Sequence, residues 1–205
     1  IRAIPAKHRH KVAEHLLALD PNDRYLRFGY GARDEQIRQY VDRLDFDRDE
    51  IYGIYNRHLA LVAVAHLAYS VDAALQSCAE FGVSVLPHVR GRGLGARLFD
   101  RAMVHARNEG VRLFFIHALS ENSAMLRIAR NAGAVVERDG SESEAWLELQ
   151  AASLDSRIDE FVDDRIAAVD YRVKAQLKQV RDLADGVLQV PQQVTPRNGD
   201  MVRLA

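Results

Sequence analysis

Residues 85–96, Val85-Leu86-Pro87-His88-Val89-Arg90-Gly91-Arg92-Gly93-Leu94-Gly95-Ala96, bring together the residue types that hold phosphate. An apolar, β-branched run leads into them, and Leu94, Leu98, Ala102 and Ala106 recur every four residues after them, so the glycines lie between a strand and a helix. A helix N-terminus offers unpaired N–H groups and a partial positive charge, and phosphate binds where the chain lets it come close. Gly91, Gly93 and Gly95 permit that approach, while Arg90 and Arg92 add charge beside it. The competing reading is a tight connection that binds nothing. The Lys-Ser/Thr of a nucleoside triphosphate loop is absent, and the glycine spacing does not fit a dinucleotide fold.

Just upstream, strand alternation sends Phe81, Val83 and Val85 to one face and Glu80, Gly82, Ser84 and Leu86 to the other. A carboxylate sharing a face with small residues suits a cleft, where partial burial raises a carboxyl's basicity and equips it to take a proton. The alternative is a carboxylate paired with an arginine on a solvated sheet face. Pro87 cannot continue a ladder, so the strand is expected to part from its neighbour there and leave backbone groups unpaired. Asn122 opens a later helix, where asparagine is a good N-cap whatever else it does. Cys78 has no adjacent histidine to activate it and reads as packing. His8, His10 and His15 stand among Lys7, Arg9 and Lys11 without a carboxylate-rich metal pattern, which suggests a solvated basic face. His66 and His117 fall within apolar strands and read as satisfied structural residues.

The elements that must position these residues follow from periodicity. Residues 1–46 read as a short strand (2–4) and two helical stretches, one with Val12, Leu16, Leu17 and Leu19, the other with Ile37, Val41 and Leu44 behind an Asp34 cap. Strands at 51–55, 59–69 and 76–86 are joined by connections short enough to require an antiparallel meander. A helix runs from Leu94 to a stop at Gly110, residues 113–119 form a buried strand, and 122–132 form a helix ended by Gly133. Residues 134–138 and 144–149 flank the turn Asp139-Gly140-Ser141 as a closing hairpin. The result is an α/β chain with a mixed, mostly antiparallel sheet flanked by helices over residues 1–150. Residues 153–185 carry a helical stripe that includes Ile158, Val162, Ile166, Val169 and Val173. Such a helix would reach roughly 50 Å, so it either bends back or meets another chain as a homodimer. The tail to Ala205 carries no ordering pattern.

With 205 residues and 48% apolar content the chain can bury one substantial core, so disorder is not the default. Its 28 Lys and Arg balance 29 Asp and Glu, which argues against a nucleic-acid partner. A single cysteine excludes an internal disulfide and fits a reducing cytoplasm. No apolar run approaches the roughly 20 residues that cross a bilayer, so no membrane partner is expected. Residue 1 is Ile rather than Met, and a native start upstream is expected.

The Arg-x-x-Gly-x-Gly spacing of Arg90, Gly93 and Gly95 resembles the pyrophosphate motif of GNAT N-acetyltransferases, and the order of elements resembles the GNAT fold. The resemblance covers most of residues 1–150. It is nearest to the acetyltransferase domain of Pat-type protein lysine acetyltransferases, through residues 23–28 (Asp-Arg-Tyr-Leu-Arg-Phe), 79–85 (Ala-Glu-Phe-Gly-Val-Ser-Val) and 119–125 (Leu-Ser-Glu-Asn-Ser-Ala-Met). It implies acetyl-CoA as co-substrate, held by Val85, Leu86, Arg90, Gly91, Arg92, Gly93, Leu94, Gly95 and Ala96, with Asn122 at the pantetheine arm. Direct acetyl transfer to a primary amine, a protein lysine in that branch, is implied with it. Lysine is only about 0.1% neutral at physiological pH, and the resemblance makes Glu80 the base. It also makes the Leu86 N–H the donor to the thioester carbonyl. Two positions depart from the family: the aromatic after the last helix is Ala134, and the tyrosine used by many relatives as general acid is Ala129. Ser123 or solvent is left to protonate the leaving group. A small-molecule amine acetyltransferase and a non-catalytic acyl-CoA-binding module are the alternative functions.

Overall fold

The computed structural model describes residues 1–70 and 78–150. Its elements in chain order are β1 (Arg2–Ala3), α1 (Arg9–Leu17), α2 (Pro21–Phe28), α3 (Asp34–Asp42), β2 (Glu50–Tyr55), β3 (Leu61–Tyr69), β4 (Cys78–Val85), α4 (Leu94–Asn108), β5 (Leu113–Leu119), α5 (Ser123–Asn131), β6 (Val135–Asp139) and β7 (Glu142–Glu148). The seven strands form one sheet in the order β1-β2-β3-β4-β5-β7-β6, antiparallel throughout except between β4 and β5. The expected mixed, mostly antiparallel sheet is therefore present. The helix expected over 153–185 lies outside the described residues.

Side-chain alternation makes the sheet apolar on both faces. Ala63, Ala65, Leu67, Ala79 and Phe81 face α4 and α5 together with Leu98, Phe99, Ala102 and Phe114. Phe81, Phe99 and Phe114 meet with ring centroids 5.2–5.7 Å apart, and aromatic pairs of this kind add about 1 kcal/mol each beyond area burial. On the opposite face, Ile51, Leu61 and Val64 pack under α1 and α3 through Val12, Leu16, Ile37 and Val41. Ile51 and Tyr52, adjacent in sequence, go to different cores, as period-two alternation requires.

Two sequence readings need correction here. Residues 1–46 hold three helices, not two, because Asp20 accepts from the Asp23 amide at 2.8 Å and Pro21 occupies the first turn of α2. Arg24 then fixes α2 to its neighbours by donating to the carbonyls of Leu17, Leu19 and Ala32 and to Asp34. Asp34 is the first residue of α3, and Arg33 is the cap.

Candidate functional site

β4 and β5 run side by side only over 78–80 against 113–115, after which the two strands part. β4 goes on pairing with β3 and β5 with β7, so a wedge opens within the sheet itself. Backbone parity decides which β4 groups face the wedge. The Leu86 N–H donates to the Val62 carbonyl at 3.0 Å, so the even residues of β4 point their backbone at β3. Val83 and Val85 therefore direct theirs into the gap, and the Val85 carbonyl there accepts from Arg90 Nε at 3.0 Å. This corrects the expectation for Leu86, whose amide is spent on the ladder. Pro87 is not the cause of the parting either, since pairing with β5 ends after Glu80 and Pro87 merely opens a 3-10 turn.

Beyond that turn the glycines lie between β4 and α4, where the sequence placed them. Gly91 and Gly93 have φ of +74° and +71°, values that L side chains rarely adopt, and Gly93 caps α4 without any side-chain bond. The first backbone bond into α4 is from the Arg97 N–H to the Gly93 carbonyl at 3.0 Å. The amides of Leu94, Gly95 and Ala96 precede it and have no partner among the described residues. Gly95 lets α4 lie against α5, because a Cβ there would sit 3.2 Å from Ile128 Cδ1. The Arg90 guanidinium is engaged by the Val85 carbonyl and by the buried Asp23 of α2, with which it pairs at 2.5 Å. Arg92 is exposed and does not line the cleft. The cradle, the gap and the inner sides of α2 and α5 line one open cleft of about 1150 Å³.

Glu80 stands at the last paired position of β4, opposite Phe115, where the wedge begins. Its Oε1 lies 3.3 Å from His117 Nδ1, and His117 Nε2 lies 3.3 Å from Glu144 Oε1, forming a carboxylate-imidazole-carboxylate row across β4, β5 and β7. Two expectations change. The Glu80 side chain is 57% exposed rather than partly buried, and its partner is a histidine, not an arginine. His117 is equally open and belongs to the cleft, whereas His66 is the satisfied structural residue expected, held between Tyr40 Oη and Asp49. Asn122 caps α5 by accepting from the Met125 amide at 3.2 Å, and its Nδ2 reaches toward the Leu26 carbonyl at 3.4 Å. Ala129 is fully buried in the core under α5.

Sequence reasoning missed two residues on the even face of β4. His15 is buried, not solvated: it follows Val12 by three positions, so the helical period turns it to the sheet, where Nδ1 meets the Leu61 carbonyl and Nε2 meets Ser84 Oγ at 2.8 Å. Burial pushes its pKa down to about 4. Arg27 spreads its guanidinium over Gly82, and the glycine was the available signal, since a Cβ at residue 82 would lie 2.7 Å from Nη2. Below Arg27, burial drives His66 down from its ordinary value, with the Arg27 charge adding to the effect and Asp49 opposing it. Asp49 is held below the usual carboxylate range: burial opposes its charge, but the bonds from Arg48 and His66 prevail.

A protein-family model described as the acetyltransferase (GNAT) family matches residues 10–134, more than half of the chain. This chain belongs to the GNAT acetyltransferase family. Solved structures with the same fold include the GNAT domain of S. lividans PAT, at 18% identity and a TM-score of 0.61 over 72% of this chain and 89% of that one. YncA from Salmonella typhimurium, solved with its cofactor acetyl-CoA, aligns at 14% identity and a TM-score of 0.57 over 74% and 94%. The ribosomal-protein-alanine N-acetyltransferase from Brucella melitensis aligns at 14% and 0.56 over 72% and 98%. A comparison with curated proteins finds no match. As a GNAT acetyltransferase the chain uses acetyl-CoA, and its residues fit that molecule. Three amides at the start of α4 and a stretch of β4 edge, unpaired among the described residues, lie along one cleft with glycines at positive φ. No helix among the described residues is long and apolar enough to cross a membrane.

Proposed function

We propose that the chain moves the acetyl group of acetyl-CoA directly onto a primary amine, with Glu80 as the base. The observation that carries this reading is the position of the Glu80 carboxylate at the mouth of the wedge, in the same cleft as the cradle. The co-substrate supplies an acetyl group activated as a thioester. The amides of residues 94–96 would hold its pyrophosphate at the positive end of α4. Val83 and Val85 are the β4 amides turned toward the gap, and they replace Leu86 as candidates to stabilise charge building on a carbonyl oxygen. Glu80 takes the proton that an ammonium acceptor must lose before its nitrogen can attack. His117, 3.3 Å from both the Glu80 and the Glu144 carboxylates, keeps Glu80 aimed across the gap. With Ala129 in the core, no phenol can come from that position, and the departing sulfur takes its proton from solvent or Ser123.

A protein lysine is the acceptor that the sequence resemblance alone implies and a small-molecule amine its alternative, while a cytoplasmic setting and a homodimer formed through residues 153–185 belong to the proposal on sequence grounds alone. Glu80→Gln is the test. Turnover measured as released thiol should fall by about 100-fold or more, while calorimetry should show acetyl-CoA affinity unchanged, since the cradle is untouched. Turnover equal to wild type would remove Glu80 from the base role.

A further inference from the structure

Arg27 has no role in the acetyl-transfer scheme above. Its guanidinium lines the cleft on the even face of β4 and overhangs Gly82, two residues along the strand from Glu80. Among the described residues it donates one hydrogen bond, from Nη2 to Tyr40 Oη at 3.0 Å, and no carboxylate lies within ion-pair distance of it. The chain of bonds beneath it is directional. Asp49 can only accept, so His66 Nε2 carries the proton and Nδ1 accepts from the Tyr40 hydroxyl. The Tyr40 oxygen is then left to accept from Arg27. Phe28 and Tyr40 flank the cation with ring centroids 5.3 and 5.6 Å from Cζ. An oriented, half-buried guanidinium with four donors unused among the described residues is suited to receive a planar oxyanion in bidentate fashion.

We infer that the acceptor is a small molecule carrying both an amine and a carboxylate, with Arg27 binding the carboxylate and Glu80 facing the amine. The inference rests on the acetyl-transfer reading for the role of Glu80, though not for the Arg27 site. Residues i and i+2 of a strand are about 7 Å apart. Two charge-assisted bonds of about 2.8 Å placed around an α-amino acid span a comparable distance. A cation at this point also disfavours polyamines and bare lysine side chains, which bring only positive charge. Gly82 keeps the pocket open, because any side chain there displaces the guanidinium.

The test is calorimetric titration of the full chain, loaded with coenzyme A, with the free amino acids and their matched α-carboxamides. At least one acid should bind wild type about tenfold or more tighter than its amide. Arg27→Gln should erase that difference, and Gly82→Ala should reduce it with Arg27 still present, both with melting curves that show a folded protein. Equal binding of acids and amides to wild type, no binding of any of them, or a preference that survives Arg27→Gln would overturn the inference. Acid preference without turnover on any amine counts against acetyl transfer and leaves the Arg27 site standing. Turnover on lysine peptides or polyamines without acid preference does the reverse.

Discussion

Arg90 was a candidate to touch phosphate, and its actual partners predict a different phenotype. It bonds the Val85 carbonyl and pairs with Asp23, whose side chain is 5% exposed while that of Arg90 is 47% exposed. The asymmetry has an energetic consequence. Arg90→Ala leaves a buried carboxylate without its counter-ion, a change that costs about 3 kcal/mol. Asp23→Ala releases an arginine that can turn to water, so urea unfolding should show a distinctly smaller loss. Equal losses in the two variants would mean that the burial of Asp23 does not make it the more dependent partner. The same geometry shows what one sequence can and cannot reveal about single residues. The places of Glu80 and the three glycines in the fold were legible because their neighbours in the chain define a strand and a helix start. The choice between the Leu86 and Val85 amides depends on which strand lies on each side of β4, and Arg27 reaches Gly82 only through the docking of α2. Neither fact is contained in local spacing.

The elements divide in the same way. β5 and α4 could be placed from their apolar period, and β4 from its alternation, because each buries one regular face. α2 was missed for want of that regularity: Asp23 is its only fully buried residue, so the Asp20-Pro21 start was its sole signal. The junction of β4 with α4 carries the binding prediction. Gly93 sits at φ +71°, where a β-branched residue costs about 2 kcal/mol or pulls the turn out of shape. Gly110 has φ +83° at the far end of α4, about 22 Å away by helix rise, and supplies the control. Gly93→Val and Gly110→Val should both lower the melting temperature. Only Gly93→Val should weaken coenzyme A binding, by about tenfold or more, because it alone misdirects the amides of residues 94–96. Similar binding losses in the two would show that general destabilisation, not the cradle, is being measured.

At the scale of the molecule, the split between β4 and β5 opens the cleft from inside the sheet, and the β3–β4 half must hold its shape without β5 beyond Glu80. α1 braces that half through His15, which joins the Leu61 carbonyl on β3 to Ser84 on β4. A carbonyl only accepts, so Nδ1 carries the ring's proton and Nε2 must stay unprotonated to accept from the Ser84 hydroxyl. Protonation would put a charge in a site 2% exposed and break that bond, which is why burial holds the pKa near 4. The unfolded chain has its histidine near 6.5 and takes up the proton first, so stability is full above about pH 6.5 and declines as pH falls toward 4. The difference corresponds to about 3 kcal/mol, and His66, lowered mainly by burial, adds to the loss with the same sign. Urea midpoints should therefore be flat near neutrality and drop through this window. His15→Asn should be less stable at pH 7 and show a shallower drop between pH 6.5 and 4, with Glu80 and the cradle untouched. An undiminished slope in that variant would mean that another group sets the acid sensitivity, and that the brace between α1 and β4 does not depend on a neutral imidazole.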